Sequence, residues 1–198
     1  MTSPYINTKL STKITLYPDQ MDNKLYINLK KNLEKKLLNK CYKNYGYIKE
    51  IYEIINFSSG LLEAENLMAS AIFDVEFSCR VCYPLLNKKL VCQLDRVNKV
   101  LITADNGPIL VLITNDRIND KLFFIDNNNN IRYKTGNDSK TLKSKDFVVV
   151  IVTSMLFNNG DDRIKVIGVL DDVATDKEIE HFYKELYNKE VEVELEHE

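Results

Sequence analysis

Two cysteines stand three apart, at Cys79 and Cys82, a spacing that can hold zinc through two thiolates. A zinc site of that kind needs a second Cys or His pair, and none follows at a suitable distance. The pair also falls inside an alternating run, where residues three apart point to opposite faces of a strand. Two cysteines filling space are the favoured reading, with no metal and no cofactor. His181 and His197, the two histidines, neighbour no nucleophile in sequence and read as solvated. Asp161 with Asp162, and Asp171 with Asp172, are paired carboxylates of the type that can do acid–base work. At a turn and at a strand end they read as solvated loop charges. The phosphate-loop, dinucleotide, zinc-protease and hydrolase-elbow signatures are absent. The chemistry expected is binding without catalysis, and a non-enzymatic chain.

Binding needs charge in the right place. The lysines at 24, 30, 31 and 35 could meet nucleic acid, but Glu34 interrupts them and the solvent face of an amphipathic helix is the favoured reading. Further along, Lys88, Lys89, Arg96, Lys99, Lys121, Arg132 and Lys134 fall among short strands and could form a shallow basic face. Aromatics interleaved with such charges stack the bases of single strands. The candidates are Phe123, Phe124 and Tyr133, and at least one of the adjacent phenylalanines is expected in the core.

Length and composition bound the rest. The chain has 198 residues, 44% apolar and 28% charged, enough for one ordinary domain or two small ones. Its net charge of -2 and pI of about 5.8 exclude strong sequence-blind nucleic-acid binding by the whole surface. The longest apolar run, "ILVLI" at 109–113, is far short of a membrane span, and "MTSPYINTKL" lacks the features of a signal peptide. A soluble, intracellular protein with its four cysteines reduced is expected. Lysine outnumbers arginine and asparagine and isoleucine are abundant, the bias of an AT-rich genome, including that of a large DNA virus.

The elements that would position these residues change character along the chain. Residues 13–17 read as a short strand ended by Pro18, with Asp19 or Asp22 available to cap the next element. Leu25, Leu29, Leu33 and Leu37, flanked by Tyr26 and Leu38, form the stripe of an amphipathic helix ending near residues 40–43. Gly46 supplies a turn into a strand at 47–55. From 69 to 83 strict alternation, with Phe73, Val75, Phe77, Cys79 and Val81 on one face, predicts a long half-buried strand. Beyond Pro84 come short strands at 90–94, 100–104, 109–113, 122–125, 147–154 and 165–170, without a helix between them, as in a small OB-type barrel. The asparagine-rich stretch 126–146 reads as a long loop with one weak strand at 131–134. Thr175 and Glu178 make a capping box, and Ile179, Phe182, Tyr183, Leu186 and Tyr187 predict a closing helix before an acidic tail.

This order, and five short motifs in it, resemble the larger stalk subunit of multisubunit RNA polymerases: the seventh subunit of RNA polymerase II and its archaeal counterpart. "ITLYP" at 14–18, "YGYI" at 45–48 and "SAIFDVEFSCRVCYP" at 70–84 are similar to the family's opening strand, turn and long strand. "GPILVLI" at 107–113 and "IKVIGVLDD" at 164–172 are similar to its barrel strands. The resemblance covers about residues 10–172. It departs from the family at 87–105, where the family's glycines and glycine–aromatic pair are absent.

The resemblance implies an α+β chain in three parts. A tip domain (1–84), a small antiparallel sheet with one long helix, would dock on the polymerase core. An OB-type barrel (85–172) could contact RNA, and a short C-terminal helix with its tail (173–198) would follow. The docking residues it implies are Pro18, Gly46, Tyr47, Asn56, Gly60 and Glu65. It also implies a smaller stalk partner in a heterodimer, nascent single-stranded RNA near the exit channel, no membrane, and residence in the nucleus or in a virion or cytoplasmic viral factory. The alternative is a free-standing single-stranded-RNA-binding OB protein of translation or RNA processing, a well-behaved monomer with steep salt dependence.

Overall fold

The computed structural model describes residues 3–62, 68–98, 100–126, 131–135 and 138–187. The chain is α+β and mostly strand, in two compact units. The first comprises Tyr5–Tyr83 together with Phe157–Arg163; the second comprises Pro84–Leu156 and the chain from Ile164 onward, with the residues before Tyr5.

The first unit is a twisted sheet with a helix on one face. β1 (Tyr5–Leu16), a 3-10 turn (Pro18–Gln20), α1 (Leu25–Leu37), β2 (Cys41–Tyr42), β3 (Gly46–Phe57), β4 (Leu61–Leu62) and β5 (Ala71–Cys82) follow in order. The sheet runs β1-β5-β3-β2, with β4 on β5. β5 is the long alternating strand: Phe73, Val75, Phe77, Cys79 and Val81 are buried, while Asp74 and Glu76 face solvent. They pack with Leu29, Leu33 and Leu37 of α1, and Leu25 and Leu38 close the rim. Fully burying each such side chain contributes about 1.5–3 kcal/mol.

Three local expectations need correction. β1 starts at Tyr5, well before residue 13, because β5 offers a partner over its whole length, from Tyr5 opposite Cys82 to Leu16 opposite Ala71. Neither Asp19 nor Asp22 caps α1; Asp22 Oδ1 instead accepts the Lys24 amide at 2.9 Å and the Asn28 side chain at 3.1 Å. The helix stops at Leu37, since Asn39 turns into the left-handed region at φ 59° and gives its amide to the Ile48 carbonyl.

In the second unit β6 (Lys89–Val97), β7 (Leu101–Asn106), β8 (Ile109–Thr114), β12 (Phe147–Leu156) and β13 (Ile164–Val173) close a five-stranded barrel in the order β12-β13-β8-β7-β6. Every pair is antiparallel except β13 with β8. Gly168 lies where a Cβ would strike Val150, so the bulged β12–β13 pair demands glycine there. The strand expected at 122–125 is not a barrel strand. β9 (Phe123–Ile125), β10 (Ile131–Thr135) and β11 (Asp138–Thr141) form their own three-stranded sheet. The single weak strand expected at 131–134 is thus the middle of that sheet, which closes over buried Phe123 and Ile131.

α2 (Asp176–Tyr187) ends the described chain. The Glu178 carboxylate accepts the Thr175 amide at 2.8 Å and its hydroxyl at 2.9 Å. Phe182 and Tyr183 meet Phe147 of the barrel edge-on, at 5.3 and 5.6 Å between ring centres.

Candidate docking and nucleic-acid surfaces

At one end of the α/β unit, Leu16 closes β1, Ala71 opens β5 and Leu62 pairs with Ala71 from the far side. Pro18 starts the 3-10 turn there. Asn56 and Phe57 end β3, and the Phe57 ring meets Phe73 edge-on at 6.5 Å. Gly60 backs onto the same ring: a Cβ would lie 2.7 Å from Phe73 Cζ, so only glycine lets the chain pass. Beyond it Leu61, Leu62 and Met68 are 64%, 63% and 70% exposed, with Tyr17 half exposed beside Pro18. Leu61 and Leu62 are thus large apolar side chains that stand exposed among the described residues.

Gly46 and Tyr47 lie elsewhere. Tyr47 is paired with Cys82, and the eleven steps of β5 back to Ala71 span about 36 Å at 3.3 Å per residue. Gly46 has φ +109° and a Cβ there would collide with the Cys82 carbonyl. Tyr47 is buried, its hydroxyl donating to Asn39 Oδ1 at 3.4 Å. Of the docking residues the resemblance implies, the structure places Pro18 and Gly60 at this end, Asn56 opposite Glu76 near the middle of β5, and Gly46 and Tyr47 in packing roles. Glu65 lies outside the described residues. The exposed pair Leu61 and Leu62 was missed, although two adjacent leucines in "SSGLLEAEN" are a visible anomaly in a polar loop.

The basic residues of the barrel unit are likewise divided. Lys88 and Lys89 stand at the start of β6, where Lys89 Nζ pairs with Asp171 Oδ2 at 2.7 Å, and that hydrogen bond raises the lysine pKa. Arg96 stands near the other end, beside Asp95 at 3.6 Å. Lys99 lies outside the described residues. The remaining three gather on the small sheet. Arg132 is opposite Phe124, with Asp126 3.5 Å from its Nε and the Ser139 hydroxyl accepting from Nη1 at 3.3 Å. Lys134 Nζ lies 5.8 Å from the Phe124 ring centre and donates to the Asp120 carbonyl, next to Lys121. Phe123 and Tyr133, 5.4 Å apart, face the other way; Phe123 is the core member of the adjacent pair.

Cys79 and Cys82 are both buried, Cys79 in the cluster beneath α1. Burial pushes the Cys79 thiol up to about 11, and burial with Asp161 and Asp162 nearby does the same for Cys41. Among the described residues no group of His, Cys, Asp and Glu comes together as a metal-holding set, and no helix is long and apolar enough to cross a membrane. His181 is half exposed, 3.5 Å from Glu185; His197 lies outside the described residues.

No family model matches the chain. A protein of Acanthamoeba polyphaga mimivirus, named as a putative DNA-directed RNA polymerase subunit, is 32% identical over 180 residues, covering 91% of this chain and 88% of the relative. DNA-directed RNA polymerase II subunit RPB7 of Glycine max is 24% identical over 177 residues, covering 86% of this chain and 99% of the relative. With the fold and these two likenesses together, the chain belongs to the RPB7-like family of DNA-directed RNA polymerase subunits.

Proposed function

We propose that this chain is the non-catalytic larger stalk subunit of a DNA-directed RNA polymerase. The α/β unit is its tip, and it docks on the polymerase core through the end that carries Pro18 and Gly60. The observation that carries this reading is the adjacent exposed pair Leu61 and Leu62 at that end. Large exposed apolar side chains grouped together mark protein contact surfaces.

The barrel is of OB type. Numbered within the barrel, its strands close in the order 1-2-3-5-4-1 with the third and fifth parallel, which supports that reading. Arg132 lies opposite Phe124 and Lys134 Nζ sits 5.8 Å from its ring centre, with Lys121 close by in sequence, and cations beside an aromatic ring are the combination that holds single-stranded RNA. The barrel therefore guides nascent transcript, and a smaller stalk subunit completes a heterodimer. The functional division falls near Pro84. The place of action is the nucleus, or a virion or viral factory for a virus of the mimivirus kind.

Replacing Leu61 and Leu62 together with glutamate tests the docking end. Both side chains are in solvent, so thermal stability should hold while recovery of polymerase core with the tagged chain falls by roughly tenfold or more. Undiminished recovery would remove this end as the docking surface.

A further inference from the structure

From Lys24 to Lys43 the chain carries seven lysines and one glutamate, although its overall net charge is -2. The structure sorts those lysines by task. Lys30 Nζ donates to the Tyr52 carbonyl at 2.9 Å and Lys36 Nζ to the Lys13 carbonyl at 2.7 Å, so they stitch α1 to β3 and β1 of the sheet. Lys43 lies over the Tyr42 ring at 5.0 Å. Lys24, Lys31 and Lys35 are exposed and form no ion pair among the described residues.

These three form a line. Lys24 is the N-cap of α1, its carbonyl accepting the Asn28 amide at 3.0 Å, and continued from there at 100° per residue the three project within about 40° of one another, in steps of about 10 and 6 Å along the axis. Glu34 points about 80° away from the line, and Asp22 is occupied by the Lys24 amide and the Asn28 side chain. The aromatic between them in sequence, Tyr26, projects about 160° from Lys24 on the far side of the helix, where its hydroxyl accepts the Ile54 amide at 3.4 Å, so the row itself offers no platform for unstacked bases. A straight row of compact point charges on a rigid helix fits a partner whose negative charges are themselves held in a fixed array.

We propose that Lys24 at the N-cap of α1, together with Lys31 and Lys35 within it, forms a sequence-blind contact for the phosphate backbone of duplex DNA. This contact is separate from the RNA surface on the barrel and stands or falls without it.

The test is fluorescence anisotropy of the full chain against a labelled mixed-sequence duplex, and against single-stranded RNA, from about 50 to 200 mM salt. Lys24, Lys31 and Lys35 are changed together to glutamine; none is hydrogen-bonded to the sheet, so the melting temperature should not move. Each phosphate contact contributes a slope of about 0.9 to log affinity against log salt. The variant should therefore show a slope shallower by about 2.7 on the duplex, with its single-stranded RNA binding little changed. An unchanged duplex slope overturns the proposal. So does a loss confined to single-stranded RNA, which would assign the row to transcript. Displacement of duplex by polyglutamate as effectively as by unlabelled duplex, at equal charge, overturns it in favour of an acidic protein.

Discussion

Cys41 and Cys79 keep their protons because burial penalises the thiolate, and in both the pKa rises from 9.0 to about 11. The consequence for stability has a definite sign. Below pH 9 the folded and unfolded chains both hold the protons, and these thiols leave stability level. Between about 9 and 11 the unfolded chain releases protons that the folded chain retains, so stability falls as pH rises, by about 1.4 kcal/mol per pH unit for each thiol. Denaturant unfolding from neutral to alkaline pH should show that decline, and Cys79→Ala should remove part of it. An alanine variant with the full slope would contradict the assignment. At this scale the burial of the cysteines was readable: alternation placed Cys79 on the buried face of β5. Gly46 and Tyr47 were not. "YGYI" announces a turn, but only the pairing of Tyr47 with Cys82 reveals that the glycine is demanded by a neighbouring carbonyl and that the tyrosine is packed.

Among the elements, those with strong periodicity were legible. The alternation of β5 and the leucine stripe of α1 each follow from one repeated residue type, and both meet in one core. The first half of β1 carries Asn7, Thr8 and Lys9 and shows no pattern; its strand state comes from the ladder to β5. The β9–β11 sheet was obscured by asparagines around it, because the contact of Phe123 with Tyr133 is made across strands. The least legible element is the turn between β12 and β13. Residues 157–163 belong to the α/β unit, where the Asp161 carbonyl accepts the Cys41 amide at 2.8 Å, Gly160 donates to the Cys41 carbonyl at 2.7 Å, and Asn159 Oδ1 accepts the Lys43 amide at 3.0 Å. β2 is two residues long and depends on these partners. Replacing 157–163 with a glycine–serine linker of equal length should make Cys41 reactive towards a thiol reagent in the native chain, while Cys79 and Cys92 stay protected. Mass spectrometry of the labelled peptides checks it, and a Cys41 that stays protected would contradict the role given to this turn.

For the molecule as a whole, membership of the RPB7-like family and the layout of the chain agree on a protein made for assembly. Its described surface carries exposed leucines at one end of the α/β unit and a lysine row along α1. Sequence order made the family resemblance visible, since five motifs follow one another at compatible spacing. It could not say which ends of the strands would form a surface, because that depends on which side chains the sheet leaves uncovered. The most direct measurement is a mild affinity purification of the tagged full chain from its native source, with mass spectrometry of the proteins that accompany it. The account predicts the large subunits of a DNA-directed RNA polymerase in stoichiometric yield. A clean chain accompanied by RNA alone would contradict it and leave a free-standing RNA binder.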